Sequence, residues 1–152
     1  MKRRQLDFRS ADDVIADIQL LQRVGYQPTG NWNLTQICEH WTGTMAGGLD
    51  GFGFRAPWIL RATVFQWGFD FALKRRWIGR GFPTLKRLKP QTSETVDNDA
   101  EINQCIETCR RAAARVEPIV DYPFLNDLPA ADWRDFMWIH AAHHLGFLVP
   151  ND

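Results

Sequence analysis

Little in this sequence suits an extracellular, membrane-spanning or nucleic-acid-bound protein. Only three cysteines occur, Cys38, Cys105 and Cys109, and they cannot all pair within one chain. No CxxC is present, which excludes the usual zinc-knuckle and thioredoxin patterns. Reduced thiols and a cytoplasmic location are the expectation. Charge of either sign is not in excess: 18 Lys and Arg face 18 Asp and Glu. That balance argues against a nucleic-acid partner, which favours a basic surface. Long apolar runs are missing too. The most apolar stretch, 56–78, is broken by Arg61, Asp70, Lys74, Arg75 and Arg76, short of the roughly 18 residues a membrane span needs. Met1-Lys2-Arg3-Arg4 is basic, but Asp7, Asp12 and Asp13 follow where a signal peptide would be apolar, so none is expected. Repeats and low-complexity tracts are absent.

What the chain does have is apolar bulk. Hydrophobic residues make up 45% of 152 positions, with seven Trp and ten Phe. This is enough for a single domain over 1–152 to bury a core without disulfides. The periodicity is helical nearly throughout, and no alternating strand pattern stands out. A first helix is expected from Ser10 to Val24, capped by Ser10 and stopped by Gly25, with Val14, Ile15, Ile18 and Leu21 as its stripe. Asn33 and Gln36 have capping-box spacing, and Trp32 and Ile37 hold the positions of a hydrophobic staple. They open a second helix with the stripe Leu34, Ile37, Cys38, Trp41 and Met45. A third helix, Pro57 to Ile78, is apolar on most sides and is expected to be buried among neighbours. A loop over 79–96 separates it from a fourth, Asp97 to Glu117, striped by Ile102, Cys105, Ile106, Cys109, Ala113 and Val116. The fifth runs from Ala130 to Leu148, and Pro150 ends the ordered part. The expected class is all-α, a four-helix bundle with an accessory helix.

Three of the four histidines fall together, at His140, His143 and His144. His140 and His144 are i and i+4, so both share one helix face and two imidazoles at that spacing can hold one metal ion. HExxH itself is absent, because Ala141 follows His140. On a helical wheel referred to Trp133, the pair lies about 20° to either side of it, in the middle of the expected core stripe, with His143 about 80° away. Two imidazoles in a buried stripe need partners for their nitrogens, and either metal or structural hydrogen bonds would serve. His40 falls on the flank of the second helix beside the small residues Gly43, Thr44 and Gly47. It is either a boundary residue or a third ligand.

The block Gly30-Asn31-Trp32-Asn33-Leu34-Thr35-Gln36-Ile37-Cys38-Glu39-His40 resembles the first conserved block of the DinB/YfiT-like superfamily. Leu128 to Trp133, followed by His140-Ala141-Ala142-His143-His144-Leu145, resembles its last block. More narrowly, the chain resembles the DUF1569 branch from about Gly30 to Leu148. Trp41 is bulkier than the residue expected after the histidine, and Pro129 stands where a capping Ser or Thr is common. The resemblance implies a DinB/YfiT-like four-helix bundle. It implies a divalent metal, usually zinc or nickel, held by His40, His140 and His144. It also implies a metal-dependent hydrolase or thiol S-transferase acting on a small molecule, with no catalytic residue assigned. A homodimer is the candidate assembly, and neither nucleic acid nor membrane is an expected partner. The alternative is a non-enzymatic binding or oligomerisation module whose histidines are structural.

Other groups read more simply. Cys105 and Cys109, though i and i+4, are read as core residues, and Cys38 points away from His40. Asp70 is read as the edge of a Gln66, Asp70, Lys74 line, and Glu39, Asp50 and Asp135 as surface carboxylates. Lys74, Arg75, Arg76, Arg80, Lys86, Arg87 and Lys89, with Trp77, Phe82 and Leu85 interleaved, could meet a phosphate or a membrane surface, but a solvated segment is the stronger reading. Trp32, Trp41 and Trp133 are expected to wall one site.

Overall fold

The computed structural model describes residues 2–79, 84–92 and 96–151. Most of them are helical. The order is α1 (Ala11–Val24), β1 (Tyr26–Pro28), α2 (Leu34–Asp50), α3 (Trp58–Ala62), α4 (Val64–Arg75), a 3-10 turn (Lys86–Leu88), α5 (Asp99–Ala114), α6 (Ala130–Leu145) and β2 (Leu148–Pro150). Local chemistry sets the starts of α1 and α2. The Ser10 hydroxyl accepts from the Asp13 amide, and Asp13 accepts from the Ser10 amide. Asn33 and Gln36 make the same reciprocal pair at α2, at 2.8 and 3.0 Å. Each box satisfies amides that a helix start leaves unpaired. Gly25, at φ 72°, turns the chain out of α1.

One core is shared by α1, α2, α5 and α6. It includes Val14, Ile18 and Leu21 from α1, Leu34, Trp41 and Met45 from α2, Ile102, Cys105 and Cys109 from α5, and Trp133, Met137 and Leu145 from α6. At the head of α2, Asp97 accepts from the Tyr26 hydroxyl, the Thr35 amide and the Thr35 hydroxyl at 2.9–3.1 Å. Tyr26 Oη in turn accepts from the Leu34 amide at 2.8 Å. Burial and the adjacent Asp97 raise the Tyr26 pKa, so the phenol keeps the proton it donates.

Four expectations need correction. Two short strands exist: β1 pairs antiparallel with β2, with Tyr26 opposite Pro150, Gln27 opposite Val149 and Pro28 opposite Leu148. Three-residue strands have no alternation to read, and Pro150, expected to end the ordered chain, is part of the pairing. Secondly, α6 stops at Leu145, and the residues after it feed β2. Thirdly, the fourth helix ends at Ala114; Val116 is 75% exposed and Ala112, rather than Ala113, faces the core.

Finally, the Pro57–Ile78 helix is broken at Thr63 and is not buried. The Thr63 hydroxyl donates to the Ile59 carbonyl at 2.6 Å, a bond back along the helix that competes with the regular ladder. Only Phe69 and Ala72 of this segment are buried. Arg80, Phe82 and Pro83 lie outside the described residues.

The strand pair positions the site. It joins the segment entering α2 to the segment leaving α6, and Thr29 donates to the Phe147 carbonyl from both its amide and its hydroxyl. Arg4 fastens the same end. Its guanidinium binds Asp17 in bidentate fashion at 2.8 Å and donates to the carbonyls of Leu145 and Leu148. A cation there favours the carbonyl end of α6.

Candidate metal centre

His40 lies two turns into α2, and His140 and His144 stand on the last two turns of α6. The three rings converge. Nε2 of His140 lies 3.2 Å from Nε2 of His40 and 2.9 Å from Nε2 of His144. One nitrogen from each of the three fits a single metal-binding group, all within 4.8 Å of one another. All three sequence-predicted ligands are therefore brought together. The wheel reading of α6 needs one adjustment. Met137, Trp138, Ala141, Ala142 and Leu145 are buried, while His140 and His144 are half-buried. The pair thus borders a wider buried arc and is not at its middle. His40 is the deepest of the three, at 5% exposure.

Hydrogen bonding decides what His40 offers. Its Nδ1 lies 2.7 Å from the Leu88 carbonyl oxygen, which can only accept. The proton therefore sits on Nδ1, and Nε2 presents a lone pair toward the other two rings. This is how a carbonyl fixes the tautomer of a ligating imidazole. The segment carrying that carbonyl is itself clamped to α2. Glu39 accepts from the amides of Gln91 and Thr92 at 2.8 and 3.2 Å, and Gln36 donates to the Thr92 carbonyl at 2.9 Å. Glu39, read as a surface carboxylate, holds the loop that orients its neighbour.

The triad is not satisfied by its own hydrogen bonds. A neutral His140 carries one proton. Placed on Nε2, that proton is shared between two lone pairs, and placed on Nδ1 it has no acceptor, because Nδ1 is buried without a partner among the described residues. Either choice leaves a buried deficit, which costs about 1–3 kcal/mol. The nitrogen spacings suit a common cation. Two metal–nitrogen bonds of about 2.05 Å put their nitrogens about 3.4 Å apart at a tetrahedral angle and about 2.9 Å apart at a right angle. The observed 3.2 and 2.9 Å fall in that range.

Protonation also favours ligation. Burial, and then the neighbouring rings, hold His140 and His144 well below the ordinary histidine range. Burial lowers His40 as well, although its bond to Leu88 works the other way. Neutral imidazoles are the form that binds metal.

Aromatic rings line the centre, but of the three tryptophans expected there only Trp32 is among them. Trp32 stacks on His144 at 5.4 Å between ring centroids and lies 5.1 Å from His40. Phe136 stacks on His140 at 6.3 Å and packs at a tilt against Phe69 of α4 at 4.9 Å. Trp41 instead meets Trp138 edge-on, and Trp133 sits against Gly48, whose missing Cβ leaves the room its indole occupies. Both are core residues. His143 stands outside the triad: its Nδ1 lies 3.0 Å from the Ile78 carbonyl and 3.4 Å from an Arg3 nitrogen.

The remaining candidates are occupied elsewhere. Asp70 accepts from Gln66, Asp50 pairs with Arg111, and Asp135 with Arg76. The three cysteines are buried. A hydrogen bond between Cys38 and Cys105, followed by burial, keeps the Cys38 thiol protonated, and burial pushes Cys109 up to about 12. The signals missed in the sequence are the Leu88 carbonyl and its clamp, since a main-chain oxygen 48 positions away leaves no residue-type mark.

A family model described as "Protein of unknown function (DUF1569)" matches residues 1–151. No curated protein and no solved structure matches the chain.

Proposed function

Because the chain belongs to the DUF1569 family, described as proteins of unknown function, its activity has to be read from the site itself, and we propose that it holds one divalent metal ion through His40, His140 and His144. The observation that carries this reading is the convergence of three Nε2 atoms, with the His40 proton committed to Leu88 on the far side of its ring. Zinc or nickel suits three neutral imidazoles. We read the fold as a DinB/YfiT-like four-helix bundle of α1, α2, α5 and α6, with α3 and α4 accessory, because those four helices share the core.

The reaction class in this reading is hydrolysis of, or thiol transfer to, a small molecule in a cytoplasmic setting. When bound, the ion would supply a Lewis acid that brings the pKa of a water or thiol toward neutrality. The protein's own part is to hold three ligands in place. Leu88 and Glu39 fix His40, the helix geometry of α6 fixes the other two, and Trp32 covers one side against water.

A second reading is a non-enzymatic binding or oligomerisation module, favoured by the same 2.9 and 3.2 Å spacings, which are also hydrogen-bond lengths. Elemental analysis of untagged protein separates the two. About one equivalent of metal is expected, lost in His140→Ala with His144→Ala. No stoichiometric metal, together with a melting temperature indifferent to EDTA and to added zinc or nickel, would establish the structural reading.

A further inference from the structure

The outer face of α3 and α4 is apolar and uncovered among the described residues. Trp58 is 69% exposed, Ile59 56%, Val64 61%, Trp67 71% and Phe71 41%. On α4 the exposed apolar positions are Val64, Trp67 and Phe71, spaced i, i+3 and i+7, so they form one stripe. Trp67 and Phe71 stack at 5.8 Å, and the Arg75 guanidinium lies 5.9 Å from the Phe71 ring. The opposite face is already used, with Phe69 against Phe136 and Phe65 against Phe124. The α4 stripe alone presents on the order of 350 Å² of apolar surface, within the range of the largest patch of an ordinary soluble monomer, which is often functional.

Charge selects the occupant. Over 55–78 the chain carries Arg55, Arg61, Lys74, Arg75 and Arg76 against the single acid Asp70, in a protein whose net charge is zero. Arg55 pairs with Asp121, and Arg76 with Asp7 and Asp135. Lys74 and Arg75 stand exposed at the end of the stripe, with no acidic partner among the described residues. A second copy docked by two-fold symmetry would bring up the same face, whose single acid over 55–78 is Asp70, and so would offer these cations little counter-charge. An anionic lipid surface matches both features. Trp and Phe favour the interfacial layer, and flanking Lys and Arg meet the headgroups.

We propose that the α3–α4 face docks on anionic membrane surfaces. The expectation of no membrane partner rested on the lack of a spanning segment and on reading the basic run from Lys74 as solvated, and no helix among the described residues is long and apolar enough to cross a bilayer. A helix lying in the interface needs no such length. The proposal is independent of the metal reading, since it uses none of the three histidines.

Flotation of the intact chain with vesicles tests it. Vesicles of phosphatidylcholine with about 30% phosphatidylglycerol should carry the protein upward, and phosphatidylcholine alone should not. Raising NaCl from about 0.1 M to about 0.5 M should weaken binding. Lys74→Gln with Arg75→Gln should lower the partition coefficient about 25-fold, at about fivefold per charge. Trp67→Gln should abolish flotation while the melting temperature holds, because the side chain is exposed. Protein that stays at the bottom with anionic vesicles would overturn the proposal. So would unchanged flotation of these variants, or a concentration-dependent dimer broken by Trp67→Gln in a protein that binds no vesicle.

Discussion

Acidifying the metal-free protein should destabilise it through His140 and His144. Both rings have folded-state pKa values well below the ordinary histidine value, chiefly from burial. A depressed histidine pKa means that the unfolded chain binds more protons than the fold, so stability is lost as pH falls through the unfolded value of about 6.5. If a ring stays neutral in the fold, moving from pH 7 to pH 5 costs RT ln[(1 + 10^1.5)/(1 + 10^−0.5)], about 2 kcal/mol. The two rings together give a ceiling of about 4 kcal/mol, a large share of the roughly 5–15 kcal/mol of a typical domain. Urea denaturation in EDTA reads this directly. With a slope of about 2 kcal/mol/M, the midpoint should fall by up to about 2 M between pH 7 and pH 5. Asp7 and Asp13 act outside this window. Asp7 and Asp13 have lowered pKa values, Asp7 through Arg76 and Arg9 against an opposing burial effect, and Asp13 through the amides of Arg9 and Ser10 and the Ser10 hydroxyl. Their contribution is present above about pH 4 and is lost below it. A midpoint that is flat or rises on acidification would show that the rings take up protons in the fold, and would refute the reasoning.

Three further perturbations should have distinct outcomes. Glu39→Gln weakens the clamp on the Leu88 loop and should lower zinc affinity about tenfold by calorimetric titration, with a smaller change in melting temperature, because outer partners of metal ligands typically carry 10–100-fold. Asp97→Ala strands the Tyr26 hydroxyl and the Thr35 amide and hydroxyl, and should cost about 2–3 kcal/mol in urea melts at pH 7. Gly48→Ala sets a Cβ 2.6 Å from the fully buried Trp133 indole and should destabilise by about 1–3 kcal/mol, seen as a lower melting temperature.

The parts of the structure legible in the sequence are those governed by neighbours along the chain. Ser10 with Asp13, and Asn33 with Gln36, mark helix starts because a capping box is a three-residue spacing. The His140 and His144 pairing was legible for the same reason: i, i+4 on a helix fixes the separation wherever that helix packs. Whether His40 would meet them was open from the residues alone, since 100 positions separate it from His140. The closure depends on β1 and β2, whose three residues each carry no pattern. Apolar content misled at 57–78, because it reports a wish for burial and does not say that a neighbour exists. The wheel placed the histidines mid-stripe by taking Trp133 as centre, whereas Ala141, Ala142 and Leu145 extend the buried arc of α6 away from them. Trp41 is assigned to the site by proximity to His40 in sequence and Trp133 by sharing the helix face of His140 and His144, and both are buried in the core.

The central claim is that His40, His140 and His144 form one metal centre. Anomalous diffraction from crystals grown with zinc tests it most directly. A single peak bonded to the Nε2 atoms of all three histidines at about 2.0–2.1 Å, with His40 Nδ1 still on the Leu88 carbonyl, is the expected result. No peak between the rings, with the three imidazoles bonded to one another instead, would contradict it.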